Sequence, residues 1–401
     1  MGRLPGVLAG AGCILALYDL GKEIKDQRFA LFSCMILAVS PFFLEFCREI
    51  HPYSLSALLS IASWSYFLRI MKKGKKIHAV GYAISSGLLI LTFYLSALVL
   101  FTQFLLFLFL RISNRKKKLI ILGWIGAAII FSLWLPVFLR QLMTNKISPV
   151  VNFIYPEGIK MNHISLLLFN IFLGGEYRLK PYYLIPLIFV LLGILLPFNR
   201  RRETHLARTR RNIDLLPLWM FWGLFILFTL LCLVKPLYLS RYMTMSVPFA
   251  ALFLGLLAVS IRAWGKYAIL SLFVLWSLLS YRAYLGTLPR EDWRGSAQYL
   301  IAHARTNDVI VLDHISSVSC LVYYFKILKY PELYDNVFTY EHFYKLSAGE
   351  YPYKNRSLWY LTKRMEKNER LSQLRNKNIP LSHISFLNDF ELYSFKGKRI
   401  E

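Results

Sequence analysis

Two short polar turns interrupt a strongly apolar chain, and both carry residue types suited to holding a phosphate. The first reads Ser40-Pro41-Phe42-Phe43-Leu44-Glu45-Phe46-Cys47-Arg48-Glu49-Ile50-His51-Pro52-Tyr53-Ser54-Leu55. In it Arg48 offers a planar cationic fork, Glu49 an orienting or acidic carboxylate, and His51 and Tyr53 hydrogen-bond donors. Charges crowded at the edge of apolar runs are costly and often serve function, although interfacial turns also collect charged residues and Tyr as anchors. Glu45 lies one turn before Glu49, and a continuous helix would put both on one face. The second turn reads Lys235-Pro236-Leu237-Tyr238-Leu239-Ser240-Arg241-Tyr242, followed by Pro248. Lys235 and Arg241 suit a phosphate or diphosphate, with Tyr242 beside them; anchoring at a membrane interface fits the same residues. A longer polar loop, 141–181, carries Glu157, Lys160, His163, Glu176 and Arg178, and no reaction follows from them. Its apolar stretch, 164–173, is too short to span and is expected along the membrane surface.

Other chemistries lack their motifs. There is no GxxxxGK[ST], HExxH or GxSxG. The eight histidines show no metal-ligand spacing. Cys13, Cys34, Cys47, Cys232 and Cys320 form no CxxC pair, and most read as small buried hydrophobes, so neither a disulfide framework nor a metal site is expected.

These turns must be positioned by membrane helices. Of the 401 residues, 56% are hydrophobic, more than one soluble core would hide. We expect an α-helical multi-pass membrane protein with about ten spans, near 4–20, 29–46, 54–70, 78–95, 97–111, 119–140, 182–198, 214–234, 243–261 and 267–284. The run from His78 to Arg111 is too long for one helix and is split at Ser96. The net charge of +26 is gathered in short loops: Lys22 to Arg28, Arg69 to Lys76, Arg111 to Lys118, Arg200 to Arg211, and Arg262 with Lys266. These fall on alternate sides, which the positive-inside rule assigns to the cytoplasm, so nucleic acid is not needed as a partner. Both phosphate-type turns then face outside. Residues 1–286 are expected to form the membrane domain. Residues 287–401, polar and mixed in charge, are expected to form a small extracytoplasmic α/β domain of a cell inner (plasma) membrane protein. In it, 291–304 reads as a helix, 309–312 as a buried strand, 316–325 as a helix, 358–361 as a strand, 363–376 as a charged helix and 384–395 as further strands. The topology leaves the N-terminus outside with no span before it, and a missing first span is the simpler expectation.

The order of motifs resembles family 39-type glycosyltransferases of the GT-C fold, which include protein O-mannosyltransferases and the lipid A aminoarabinose transferase. The resemblance is carried by Arg3-Leu4-Pro5, Leu17-Tyr18-Asp19-Leu20-Gly21, Ser40-Pro41-Phe42, Glu49 to Leu55, Leu133-Trp134-Leu135-Pro136 with Gln141, and Arg241-Tyr242 followed by Pro248. Glu291-Asp292-Trp293-Arg294 and Asp308-Val309-Ile310-Val311 resemble the start of the outer domain in bacterial members. It implies displacement at the anomeric carbon of a polyprenyl-phosphate sugar, metal-assisted or metal-free, so that a divalent metal stays open and no other cofactor is indicated. A lipid, glycan or protein would be the acceptor, a carboxylate would take its proton, and cations would hold the leaving phosphate. Arg48, Lys235 and Arg241 match the cationic part. The family's catalytic carboxylate lies on a first outer loop that precedes the Arg-Leu-Pro segment, which leaves Glu49 as a weaker candidate base. Where relatives have Glu-Ala-Arg-x-Tyr, this chain has Glu49-Ile50-His51-Pro52-Tyr53, and its cation stands at Arg48 instead.

Two other classes fit in part. One is an inactive relative that binds a lipid-linked sugar or a partner. The other is a transporter, which internal repeats and broken midplane helices would mark; no repeat is evident.

Overall fold

The computed structural model describes residues 3–110, 112–143, 161–173, 215–234, 239–260, 263–286, 292–312, 315–339, 357–363, 378–386 and 390–397. The chain divides into two compact units, Met1–Arg282 and Ala283–Glu401.

The first unit is helical. Its elements are α1 (Leu4–Ile24), α2 (Gln27–Val39), α3 (Pro41–Cys47), α4 (Tyr53–Lys73), α5 (Lys76–Thr92), α6 (Ala97–Phe109), α7 (Asn114–Ser132), α8 (Leu135–Met143), α9 (Met161–Leu173), α10 (Leu216–Val234), α11 (Val247–Ser260) and α12 (Ala263–Gly286). A 3₁₀ turn, Ser240–Ser246, leads into α11. Local chemistry sets the breaks. Asp26 caps α2 by accepting from the Phe29 N–H at 2.8 Å. Ser40 leaves the helical region with ψ 114°, and its hydroxyl accepts from the Phe43 N–H to start α3, with Pro41 at the first helical position. The axis therefore turns by 64° between α2 and α3. A second bend, 67°, separates α7 from α8 at Leu133-Trp134.

The expected count of ten spans is not reached among the described residues. Four helices are each long and apolar enough to cross a membrane, or up to six if each bent pair counts as one. The expected spans 29–46 and 119–140 are the bent pairs. The run from His78 is broken at Tyr94–Ser96, as its length requires, leaving α5 and α6 short. The expected span 182–198 lies outside the described residues.

Packing gives the unit two distinct ends. At one end the basic loops converge. Arg69 Nε lies 2.7 Å from Glu23 Oε1, Lys72 Nζ reaches the Glu23 carbonyl, and Lys116 Nζ donates to the Met71 carbonyl at 2.6 Å. The other end holds the turn that follows α3. The two are separated by the length of α1, 21 residues or roughly 31 Å at 1.5 Å per residue. Between them lies an aromatic-rich core in which Trp64, Phe67, Phe221, Phe228, Phe249 and Phe253 are fully buried. The stretch expected to lie on the membrane surface instead enters this core: Leu167, Leu168, Phe169, Ile171 and Phe172 of α9 are all buried. Its apolar residues fall on more than one side of the helix, so a surface position would leave some of them in water.

The second unit is a five-stranded mixed sheet with helices. It contains α13 (Trp293–His303), β1 (Val309–Leu312), α14 (Ile315–Ile327), β2 (Val337–Thr339), β3 (Ser357–Lys363), β4 (Asn378–Phe386) and β5 (Phe390–Gly397). The strand order is β2-β1-β3-β5-β4. β1 runs parallel to β2 and β3, and β5 runs antiparallel to β3 and β4. All four residues of β1 are buried, as a continuous apolar run at the sheet centre requires. Asp308, just before it, accepts from the Arg305 N–H, the Ser357 N–H and the Trp359 indole at 2.9, 3.1 and 3.0 Å. That carboxylate ties the entry of β1 to β3. The expected charged helix 363–376 lies outside the described residues, apart from Lys363, which ends β3.

Candidate functional site

α3 ends at Cys47, with the Arg48 N–H returning to the Glu45 carbonyl at 3.1 Å. Glu49, Ile50 and His51 follow in a bend, and Pro52 opens α4. The helical register that would align Glu45 with Glu49 therefore stops before Glu49. Two features hold the turn in place. Gly6 of α1 lies beneath it: a Cβ there would sit 2.8 Å from the Cys47 carbonyl and 3.2 Å from that of Glu49. The Cys13 thiol reaches the Ser54 carbonyl at 3.6 Å, tying α1 to the first turn of α4.

The second cationic turn folds against the first. The 3₁₀ segment Ser240–Ser246 packs on α3, α4 and α9. Tyr53, 6% exposed, lies within electrostatic reach of Arg241, Tyr242 and Glu49. Aromatic rings form the bridge. His51 lies 5.3 Å from Tyr53, Tyr53 5.9 Å from Phe93, and Phe93 5.5 Å from Tyr242, while the Arg241 guanidinium stands 6.0 Å over the Tyr242 ring. Arg48 and Glu49 are half-buried. Arg48 Nη1, Glu49 Oε2 and Arg241 Nε are buried atoms without a hydrogen-bond partner. Buried charged groups are normally satisfied, because leaving one unpaired costs several kcal/mol. Two guanidinium donors and a carboxylate oxygen are thus left open at this end of the unit.

Beside it runs an apolar cavity of about 1170 Å³. Phe93 and Tyr242, both members of the aromatic bridge, line it. Its walls come from α6 (Leu98, Phe101, Phe104) and from α7 (Trp124, Ala128, Phe131). α8 adds Phe138 and Gln141; the Tyr94 hydroxyl donates to Gln141 Oε1 at 2.8 Å and accepts from the Trp134 indole at 2.7 Å.

Of the residues singled out by sequence, the structure brings together Arg48, Glu49, Tyr53, Arg241 and Tyr242. His51 is exposed and touches the group through the Tyr53 ring. Lys235 lies outside the described residues, as do Glu157, Lys160, Glu176 and Arg178. Sequence reasoning noted Phe93-Tyr94 as a departure from the His-Tyr of the resembled family and gave Phe93 no place in the site. It also missed Asn170 of α9, 1% exposed, whose amide donates to the Ser240 hydroxyl at 3.4 Å while its Oδ1 has no partner. A polar residue inside the apolar run of α9 was the available signal.

Among the described residues no group of three or more His, Cys, Asp or Glu side chains stands together to hold a metal ion. A divalent cation would also meet the two guanidiniums beside Glu49, which repel it. Among the described residues this group does not fit a metal ion.

Residues 1–138 match the family model of dolichyl-phosphate-mannose-protein mannosyltransferases. The crystal structure of ArnT from Cupriavidus metallidurans in the apo state is similar at 14% identity and a TM-score of 0.56, covering 98% of this chain and 83% of that one. The oligosaccharyltransferase of Archaeoglobus fulgidus in its apo form aligns at 10% identity and a TM-score of 0.44, over 84% of this chain and 53% of that one. No curated protein matches the sequence. The chain thus has a GT-C fold like that of ArnT, and its first 138 residues are similar to the mannosyltransferase family.

Proposed function

We propose that this protein transfers a sugar from a polyprenyl-phosphate donor to a lipid, glycan or protein acceptor on the outer face of the cell membrane. The observation that carries the reading is the junction of a polar and an apolar site. The unpartnered donor of Arg241 stands over Tyr242, which with Phe93 lines the apolar groove, and Arg48 offers a second open donor on the turn after α3. A lipid phosphate has those two halves. Its head takes charge-assisted hydrogen bonds from the guanidiniums, and its tail takes the groove. As the anomeric bond breaks, negative charge grows on the leaving phosphate oxygen. Fixed guanidiniums stabilise that charge more than they stabilise the ground state. Glu49 stands beside them. Its free Oε2 is suited to orient a hydroxyl of donor or acceptor, and the proton of the attacking hydroxyl leaves through it or through a carboxylate outside the described residues. The gathering of basic loops at the opposite end supports placing the site outside, by the positive-inside rule.

The test is transfer by the full chain in proteoliposomes, with polyprenyl-phosphate mannose as probe and consumption of donor as readout. Arg241→Ala is expected to slow consumption by roughly a hundredfold, in line with loss of a charge-stabilising donor. Undiminished consumption in Arg241→Ala would remove the reading.

A further inference from the structure

The lining of the apolar groove ends on α6 and α7 at Phe104 and Trp124, and Trp124 is held by hydrogen bonds. On α7 the lining residues run from Phe131 at the site end to Trp124, and no lining residue lies deeper on that helix. On α6 they run from Ala97 to Phe104. The two terminal residues meet: Trp124 lies 5.7 Å from Phe104 and 5.0 Å, edge-on, from Phe107. Between Trp124 and Phe131 the wall is Ala127 and Ala128, which leave the width that the indole then fills. Trp124 is eight residues before Ser132, the last residue of α7, so it crosses the groove roughly 12 Å below the site end at 1.5 Å per residue.

The indole is anchored from behind. Its Nε1–H donates to the Tyr82 hydroxyl at 2.7 Å, which donates onward to Gln103 Oε1 at 2.6 Å. The Gln103 amide donates to Ser63 Oγ at 3.0 Å, and Ser63 and Ser86 share a hydrogen bond of 3.0 Å. Tyr82, Gln103, Ser63 and Ser86 are all fully buried. Gly123, beside Trp124, makes room for Tyr82: a Cβ there would come within 2.4 Å of its ring. A satisfied polar chain across four helices is costly to disturb, because every member that loses a partner is left unpaired in an apolar interior. One orientation of the indole keeps all of these bonds.

We propose that Trp124 is a stop that sets how deep a lipid tail enters the groove, and that Tyr82 is the positioning residue that holds it there. This rests on the reading of the groove as the tail site of a lipid phosphate. Up to the indole, each added isoprene unit gains contact with the walls. Beyond it, the tail turns out past Phe101 and Phe104, 46% and 39% exposed, and gains little from the protein.

A length series tests this. The full chain, in nanodiscs of phosphatidylcholine, is titrated with geranyl, farnesyl and geranylgeranyl phosphate. Arg241→Ala defines the background of partition into the bilayer. Wild-type affinity above that background should rise and then level off within the series. Trp124→Ala removes the stop, so affinity should keep rising, with a gain of about fivefold for the longest probe. Tyr82→Phe frees the indole to move aside and should shift the series towards that of Trp124→Ala, raising affinity for the longest probe by about twofold or more and changing that for geranyl phosphate by less. If Tyr82 acts only through the indole, the double variant should match Trp124→Ala alone. The same levelling in Trp124→Ala would overturn the proposal, and so would an equal change for all three probes in Tyr82→Phe. A wild-type series indistinguishable from Arg241→Ala would instead overturn the head-group reading, and the stop with it.

Discussion

Arg48 and Arg241 come from positions far apart in the chain and present free donors at one place. The side chains are half-buried, but these donor atoms are buried, where water competes little. If they hold a phosphate, loss of either should weaken binding of farnesyl phosphate by at least about tenfold, since a charge-assisted hydrogen bond is worth ~1.5–3 kcal/mol. Replacing Glu49 should act in the opposite sense on binding. Glu49→Gln removes a negative charge beside the phosphate and should tighten binding of the unglycosylated lipid phosphate, while slowing sugar transfer. Calorimetric titration and a transfer assay on the same preparation separate the two effects, and weaker lipid-phosphate binding in Glu49→Gln would contradict the assignment. Much of this group was legible in the sequence, because charged residues inside an apolar chain stand out. Phe93 and Asn170 were not, for different reasons. Phe93 stands where the resembled family often has His, and a phenylalanine there suggests no polar role, while the burial of Asn170 depends on α9 entering the core.

The elements that carry the site are set by close approach. α1 passes under the turn at Cys47–Glu49 because Gly6 has no side chain, and the next turn of α1 repeats the fit, with Gly10 facing the Cys47 sulfur at 2.6 Å from a built Cβ. Gly6→Val should therefore push against backbone that cannot yield. We expect a loss of about 1–3 kcal/mol in stability or a displaced turn, read as a lower melting temperature together with weaker farnesyl phosphate binding. Unchanged binding and melting in Gly6→Val would show that α1 does not position the turn. Sequence reading found the helices and missed their shapes. Hydropathy registers apolar length, whereas the bend at Ser40 arises from a side-chain cap followed by Pro41, and the bend at Leu133-Trp134 re-aims α8 towards the groove. The short helix α9 was misjudged because length alone does not tell a surface segment from a buried one.

The whole molecule pairs a helical membrane unit, which carries the proposed phosphate site, with a polar unit built on a mixed sheet. In the polar unit Asp308 accepts three hydrogen bonds while 4% exposed. Asp308→Ala leaves three donors unpaired and should destabilise that unit by about 3 kcal/mol or more. Limited proteolysis of the full chain should then cut within 283–401 much faster, with farnesyl phosphate binding by the membrane unit retained. Equal protease resistance would contradict the structural role given to Asp308. The strands at 309–312 and 358–361 were legible as short buried runs. Their pairing was not, because the parallel partner β2 is three residues long and carries little pattern of its own.

The most direct test of the account is where a lipid phosphate sits. A polyprenyl phosphate bearing a photoreactive group on its tail, irradiated with the full chain in membranes, should label peptides from α6 and α7 around Phe101, Phe104 and Ala128. Arg241→Ala should abolish that labelling. Labelling elsewhere in the membrane unit, or labelling of α6 and α7 that survives the loss of Arg241, would contradict the joined site on which the proposed function stands.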